Sequence, residues 1–345
     1  MKVLSISSDR KIFEKDSAVL SRLLDQASLV EKLVVVVFTL EKQYFHKFTK
    51  GNLVVLPTNS PFKISYITDV YLLAKDINGV DLISTQDPFF SGLAGLLLKW
   101  RLKTKLQVQI HTDIASPFFR ASSLLNFIRF LVAWIVIPFA NGVRVVSERV
   151  KGGISKTFGI FSKNLVIDVL PVYVDLKKSE EGVYVDLHKK YPMFDFIIFT
   201  SARIEKEKNL SLLLDVFKNS LFYIKGAGLV IAGDGGERKK LEKKTRELGI
   251  EKSVKFLGWQ KNLIDFYESA DLYVSTSNFE GYGVSLLEAG FYGMPIVSTD
   301  VGIIGEVYKD NEGALVCPVG DGECLTRKIV EIRKFVDVRE RIAGG

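Results

Sequence analysis

The chain has 345 residues, of which 47% are hydrophobic and 25% charged, with 27 glycines, nine prolines and a formal net charge of +7. At a soft ~150 residues per domain the length suggests two domains, and the ordinary composition excludes collagen-like and low-complexity classes. Two cysteines, Cys317 and Cys324, and three scattered histidines, His46, His111 and His188, argue against a disulfide framework, a structural zinc site or a His-based metal site, and read as a cytosolic or redox-indifferent chain.

The N-terminal run Met1-Lys-Val-Leu-Ser-Ile-Ser-Ser stops at Asp9-Arg10 and reads as a buried strand, not a secretory h-region. Short β-branched runs then predict strands at 3–7, 33–38, 53–56, 82–84, 106–110, 143–146 and 165–170. Helical segments alternate with them at 18–30, 67–76, 88–102, 122–137 and 148–157. Asp87-Pro88 looks like an N-cap followed by a first-turn proline, and Ser147-Glu148 like a second helix start. The longest apolar run, Phe130 to Ala140, is eleven residues, short of the ~20 needed to span a bilayer. The expected location is therefore cytoplasmic, with peripheral contact on the inner face of a membrane. Residues 1–175 hold 22 Lys and Arg against 14 Asp and Glu, while the remainder holds 25 against 26. All the excess positive charge sits in the first half. An anionic membrane surface or an acidic substrate would match it, as would a solvated basic face.

The second half repeats the alternation. Strands are predicted at 196–200, 229–232, 254–257, 272–275, 296–298 and 314–317, and helices at 209–219, 237–248, 263–269, 284–292 and 323–333. Two βα series predict an α/β protein of two doubly wound Rossmann-like domains, with ligand sites at the carboxyl ends of the strands and the domains facing across a cleft. The expected division is 1–172, a polar linker at 173–192, and 193–345.

The richest segment is Asn278-Phe-Glu-Gly-Tyr-Gly-Val-Ser-Leu-Leu-Glu-Ala-Gly. It follows a strand and opens a helix near Val284. Gly281 and Gly283 would let a ligand approach the backbone, and the unpaired first amides would attract an anion. A glycine turn with a capping acid explains the same residues. Glu288, inside the helix, suits sugar hydroxyls better than phosphate. Arg203 and Lys208, after the strand at 196–200, could neutralise a pyrophosphate, or be ordinary solvated charges. Ala232-Gly-Asp-Gly-Gly lacks the full dinucleotide-loop spacing, and Asp234 could simply cap the next helix. His111 ends a strand in Gln109-Ile-His-Thr-Asp and enters a Pro-containing loop, pointing toward the expected cleft unless it is structural.

Together these residues resemble the retaining glycosyltransferases of family 4, which have the GT-B fold. Glu280 and Glu288 fit the E-x7-E motif and Arg203 and Lys208 an Arg-x4-Lys element. Companion segments are Ile231-Ala-Gly-Asp-Gly, Val254-Lys-Phe-Leu-Gly258-Trp259, Ala270-Asp-Leu-Tyr-Val-Ser-Thr-Ser and Gly293-Met-Pro-Ile-Val-Ser-Thr-Asp-Val-Gly302. The resemblance covers about 196–317; the first half matches more loosely.

It implies a metal-independent hexosyltransferase without a resident cofactor, using a UDP- or GDP-linked sugar. Arg203 and Lys208 would neutralise the diphosphate, and amides from Gly283 through Val284 to Ser285 would hold the distal phosphate. Glu280 would bind the donor sugar, Glu288 the ribose, and Gly258 and Trp259 would lie beside the base, with Asp234 nearby. His111 would reach the sugar from the other domain. The expected acceptor is polyprenyl-linked or a polysaccharide; nucleic acid is not expected, since no aromatic-interleaved basic stripe is present. The loop Ser7-Ser-Asp-Arg-Lys lacks the family's frequent glycines, and the C-terminus is expected to lack a final helix that many relatives carry. A GT-B-like epimerase or phosphorylase, or a non-catalytic nucleotide- or glycan-binding protein, is the alternative.

Overall fold

The structure is a computed structural model, which describes residues 1–159, 165–174 and 184–334. The chain divides into two compact units, Met1–Leu170 and Pro171–Gly345. In the first, strands β1 (Lys2–Ser7), β2 (Lys32–Val37), β3 (Phe48–Lys50), β4 (Leu53–Pro57), β5 (Leu82–Thr85), β6 (Lys105–Ile110), β7 (Gly142–Val145) and β8 (Val166–Val169) form one sheet in the order β3-β4-β2-β1-β5-β6-β7-β8. Helices α1 (Ala18–Ser28), α2 (Tyr66–Ala74), α3 (Phe90–Leu102), α4 (Pro117–Ala121), α5 (Leu124–Val136) and α6 (Glu148–Phe158) connect the strands. Val34 to Val37 are buried, as a β-branched strand covered on both faces requires.

The unit is not wholly parallel, because β3 pairs antiparallel with β4. This three-residue edge strand has too little apolar pattern to be legible in the sequence. Ser147 caps α6, its hydroxyl accepting from Val150 N at 3.3 Å. The expected start at Asp87-Pro88 is corrected. Asp87 Oδ1 accepts Phe89 N at 2.7 Å, closing a tight turn, and α3 begins only at Phe90.

The second unit carries β9 (Phe196–Ser201), β10 (Ala227–Ala232), β11 (Val254–Gly258), β12 (Leu272–Ser275), β13 (Ile296–Thr299), β14 (Lys309–Asp310) and β15 (Gly313–Cys317), ordered β11-β10-β9-β12-β13-β15-β14. Its helices are α7 (Leu187–Lys190), α8 (Leu210–Ser220), α9 (Arg238–Glu247), α10 (Ile264–Ser269), α11 (Val284–Phe291) and α12 (Gly322–Lys334). The residues of β9 and β10 are buried throughout.

Two expectations change here. The far end of the presumed linker is part of this unit: Leu187 is buried in its core, and Val185 N donates to Asp265 Oδ2 at 3.0 Å. Residues 175–183 of that linker lie outside the described residues. The redox-indifferent reading also fails, because Cys317 and Cys324 are disulfide-bonded to each other. A short loop from β15 to α12 brings them together, which considering frameworks alone overlooks.

Candidate active site

Parallel pairing of β9 with β10 and β12 sets their carboxyl ends along one edge of the C-terminal sheet. The loops there hold most of the singled-out residues. After β9 the chain makes a 3-10 turn, Lys206–Lys208, and enters α8 through Asn209 in a left-handed conformation. The turn aims Lys208 at the loop after β12, where its Nζ donates to Glu280 Oε1. Both side chains are only 15% exposed. Ser277 Oγ donates to the same carboxylate oxygen at 2.8 Å, and Thr299 Oγ1 anchors Ser277 O at 2.7 Å. Thr276 Oγ1 donates to the carbonyls of Lys208 and Asn209, both at 3.1 Å, tying the two loops together. Lys208 and Glu280 line a small polar cavity with Ser201, Ser275, Ser277 and Ser285.

Gly283 stands at the start of α11 with φ +94°, a conformation L side chains rarely adopt. Its carbonyl takes the amides of Leu286 and Leu287 at 2.9 and 3.3 Å. The amides of Val284 and Ser285, the first two residues of the helix, have no intrahelical acceptor and carry the positive end of the helix dipole. The small cavity thus has the Lys208–Glu280 pair on one side and the start of α11 on another.

Glu288 lies on the second turn of α11. Its Oε2 accepts from Tyr267 Oη at 2.8 Å, and Tyr267 Oη contacts Ser201 Oγ at 2.6 Å. Burial raises the Glu288 pKa, and the Tyr267 hydrogen bond partly opposes that. Tyr267 is itself pushed well above the usual tyrosine range, first by burial and then by the neighbouring Tyr273 and Glu288. It remains a neutral donor. A carboxylate held this way is oriented and partly stripped of water, ready to accept hydrogen bonds from hydroxyl groups.

Asp234 follows β10. Its Oδ1 accepts Gly235 N at 2.8 Å and its Oδ2 faces Arg238 Nη1 at 3.2 Å, so it braces a turn; the cap position of α9 belongs to Glu237. The glycines around it serve close packing, since a Cβ at Gly233 or Gly235 would collide with the carbonyl oxygen of Ala202 or of Ile204. Gly258 O accepts Gly233 N at 2.8 Å, placing the end of β11 beside this turn, and Trp259 is 73% exposed there.

Two residues stand apart. Arg203 is 76% exposed, pairs with Glu207 at 3.1 Å and does not line the cavity. His111 belongs to the N-terminal unit, exposed just beyond β6, with Nε2 3.2 Å from Gln109 Oε1. Desolvation and the nearby Arg144 charge lower its pKa, so the ring is neutral at pH 7. Among the described residues no cluster of three or more His, Cys, Asp or Glu could hold a metal ion.

Residues 188–343 match the family model described as "Glycosyl transferases group 1". The C-terminal unit is a group 1 glycosyltransferase domain. A curated relative, the lipopolysaccharide core biosynthesis glycosyltransferase LpsE of Rhizobium meliloti (strain 1021), is 30% identical over 147 residues, 43% of this chain and 42% of that protein. N-acetyl-alpha-D-glucosaminyl L-malate synthase of Bacillus anthracis is 24% identical over 295 residues, 84% of this chain and 74% of that protein. The matches to LpsE and to LpsD of the same organism span only 42% and 50% of those proteins. Among solved structures, Anabaena HepE in complex with UDP and glucose superposes with a TM-score of 0.74 at 20% identity, covering 99% of this chain and 92% of that one. Sucrose-phosphate synthase from Thermosynechococcus elongatus gives 0.77 at 17% identity, with 99% and 92% coverage. The fold of both units is therefore GT-B.

Sequence reasoning missed part of this glycosyltransferase domain's site. Tyr267 and Ser201 carry no motif of their own, and Ser277 and Thr299 fall inside companion segments without having been singled out; the roles of all four follow from tertiary contacts. A buried tyrosine is signalled only by its apolar surroundings, which say nothing of what its hydroxyl meets.

Proposed function

We propose that the chain is a retaining, metal-independent hexosyltransferase that moves a sugar from a UDP- or GDP-linked donor to a polyprenyl-linked or other glycan acceptor. The observation that carries this reading is Lys208 paired with Glu280 in a polar cavity that also includes Ser285 of the α11 start. A diphosphate needs fixed positive charge, and a lysine with a helix N-terminus supplies it without a metal. Lys208 has three donor hydrogens, of which Glu280 takes one. Glu280 Oε1 is engaged by Lys208 and Ser277, while Oε2 is engaged by neither and can accept from the donor sugar.

In this reading the amides of Val284 and Ser285 receive the distal phosphate and Glu288 the ribose hydroxyls. Gly258, Trp259 and Asp234 stand on the base side, and exposed Arg203 turns from Glu207 to the diphosphate when the donor enters. His111 of the N-terminal unit is assigned to the donor sugar in the same reading. As the sugar–phosphate bond breaks, charge grows on the leaving diphosphate, where Lys208 and the amides stabilise it. The acceptor hydroxyl attacks from the same face, and its proton passes to the departing phosphate oxygen. Support for the donor comes from HepE, solved with UDP-glucose, and for a glycan acceptor from the lipopolysaccharide core relatives. No helix among the described residues is long and apolar enough to cross a membrane.

The test is slow hydrolysis of UDP-glucose and GDP-mannose in EDTA, followed by proton NMR. Free sugar appearing first as the anomer of the donor supports retention. Inverted sugar, an epimerised nucleotide sugar, or a sugar 1-phosphate formed with added phosphate would assign a different reaction.

A further inference from the structure

Among the described residues, the N-terminal unit leaves one helical face uncovered. Helix α3 packs against α2 on one side and α5 on the other. On α5, Phe130, Ala133 and Val136 are buried inward. Leu124, Ile128, Leu131 and Ile135 recur at i, i+4, i+7 and i+11 on the opposite side, with Leu131 48% and Ile135 52% exposed. On α3, Phe90, Leu97 and Trp100 recur at i, i+7 and i+10, and Trp100 is 55% exposed. The two stripes meet where Trp100 sits edge-on to exposed Phe139, with ring centroids 6.0 Å apart, and Lys99 Nζ donates to Phe139 O at 2.6 Å. An apolar surface of this kind on a chain in water marks an interaction site.

We propose that this α3–α5 face docks onto an anionic lipid bilayer. Charge selects that occupant. Between residues 88 and 141 there are six Lys and Arg and one acidic residue, Asp113. Lys99, Arg101 and Lys103 flank Trp100 at the end of α3, Arg101 also pairing with Asp76 at 3.2 Å, whereas Arg120 and Arg129 pack inward against Phe130 and Phe89 and do not belong to this face. An amphipathic aromatic with cations around it is the arrangement that anchors protein at the headgroup level. The apolar stripe enters the acyl boundary and the cations meet the lipid phosphates. A second copy on this face would instead bring the same cations against one another. The inference does not depend on what the C-terminal unit catalyses.

The test is flotation of the full chain with phosphatidylcholine vesicles, alone or mixed with phosphatidylglycerol. The wild type floats with the mixed vesicles, is released by raised salt, and stays behind with phosphatidylcholine alone. Leu131→Ser combined with Ile135→Ser, both on an exposed face, keeps the wild-type melting curve but lowers partitioning more than about tenfold. Lys103→Gln lowers it about fivefold. The proposal is overturned if the wild type does not float, or if the double variant floats as well as the wild type. It is also overturned if light scattering finds a dimer that the double variant abolishes, which would assign the face to a second copy.

Discussion

Tyr267→Phe removes one oxygen from the buried chain Glu288–Tyr267–Ser201 and leaves the ring to stack on Tyr292, with centroids 6.0 Å apart. Two hydrogen bonds are lost. One goes to a carboxylate, where such bonds contribute about 1.5–3 kcal/mol, and one to a hydroxyl, where the figure is about 1 kcal/mol. Both exist before any ligand binds, so the unliganded protein loses roughly 2–3 kcal/mol, part of the sum being offset by water reaching Glu288. At about 2–4 °C per kcal/mol for a domain of this size, the melting temperature falls roughly 5–10 °C. The functional consequence is separate. The Tyr267 bond holds the Glu288 pKa down against burial, so removing it lets burial push the pKa further up. If ionised Glu288 receives ribose hydroxyls, UDP affinity weakens on acidification in both proteins, and in Tyr267→Phe the weakening begins at higher pH. Calorimetric titration of UDP across a pH series reads this directly. A variant that melts lower but has a superimposable pH profile would refute a positioning role and leave Tyr267 a packing residue.

Glu288→Gln keeps an acceptor for Tyr267 but removes the charge. Because burial raises the native pKa, the carboxyl contributes stability when protonated and loses that contribution as pH rises through its folded value. Differential scanning calorimetry of the unliganded variant should therefore show a higher melting temperature than wild type in neutral buffer, with little difference in acid, while donor binding falls. Gly283→Ala forces a Cβ into φ +94° and to 3.1 Å from Leu286 Cδ1. It should cost about 1–3 kcal/mol by urea titration and weaken UDP binding with it; unchanged affinity would separate the α11 start from the ligand. Reducing the Cys317–Cys324 bond, whose partners are seven positions apart, should lower stability by about 2–3 kcal/mol. An unchanged melt in reductant would contradict this.

The strand–helix alternation was legible because buried parallel strands read as unbroken β-branched runs, as in Leu33 to Val37, and strands and helices fell within a few residues of expectation. What escaped was short or conditional: the edge strand β3, the five-residue α4, and the turn that shifts the start of α3 beyond Pro88. In the site, Glu280, Ser285 and Glu288 drew notice because a helix start after a strand has a glycine signature, and Lys208 because it follows the carboxyl end of β9. Asp234, expected on the donor side or as a helix cap, braces a turn after β10 and leaves the cap of α9 to Glu237. Arg203 illustrates the limit: its spacing from Lys208 suggested a cationic pair, yet only Lys208 points into the cavity and Arg203 pairs with Glu207. Spacing locates a backbone; it does not choose a rotamer for an exposed side chain.

The central claim is that Lys208 and the start of α11 form a metal-free receptacle for a nucleoside diphosphate. Calorimetric titration of UDP and GDP into the full chain in EDTA, with Lys208→Ala alongside, tests it most directly. The account predicts binding of one nucleotide without metal and a loss of about 2 kcal/mol or more, at least thirtyfold in Kd, in the variant. Absence of binding by the wild type in EDTA that magnesium restores, or equal affinity in Lys208→Ala, would contradict it.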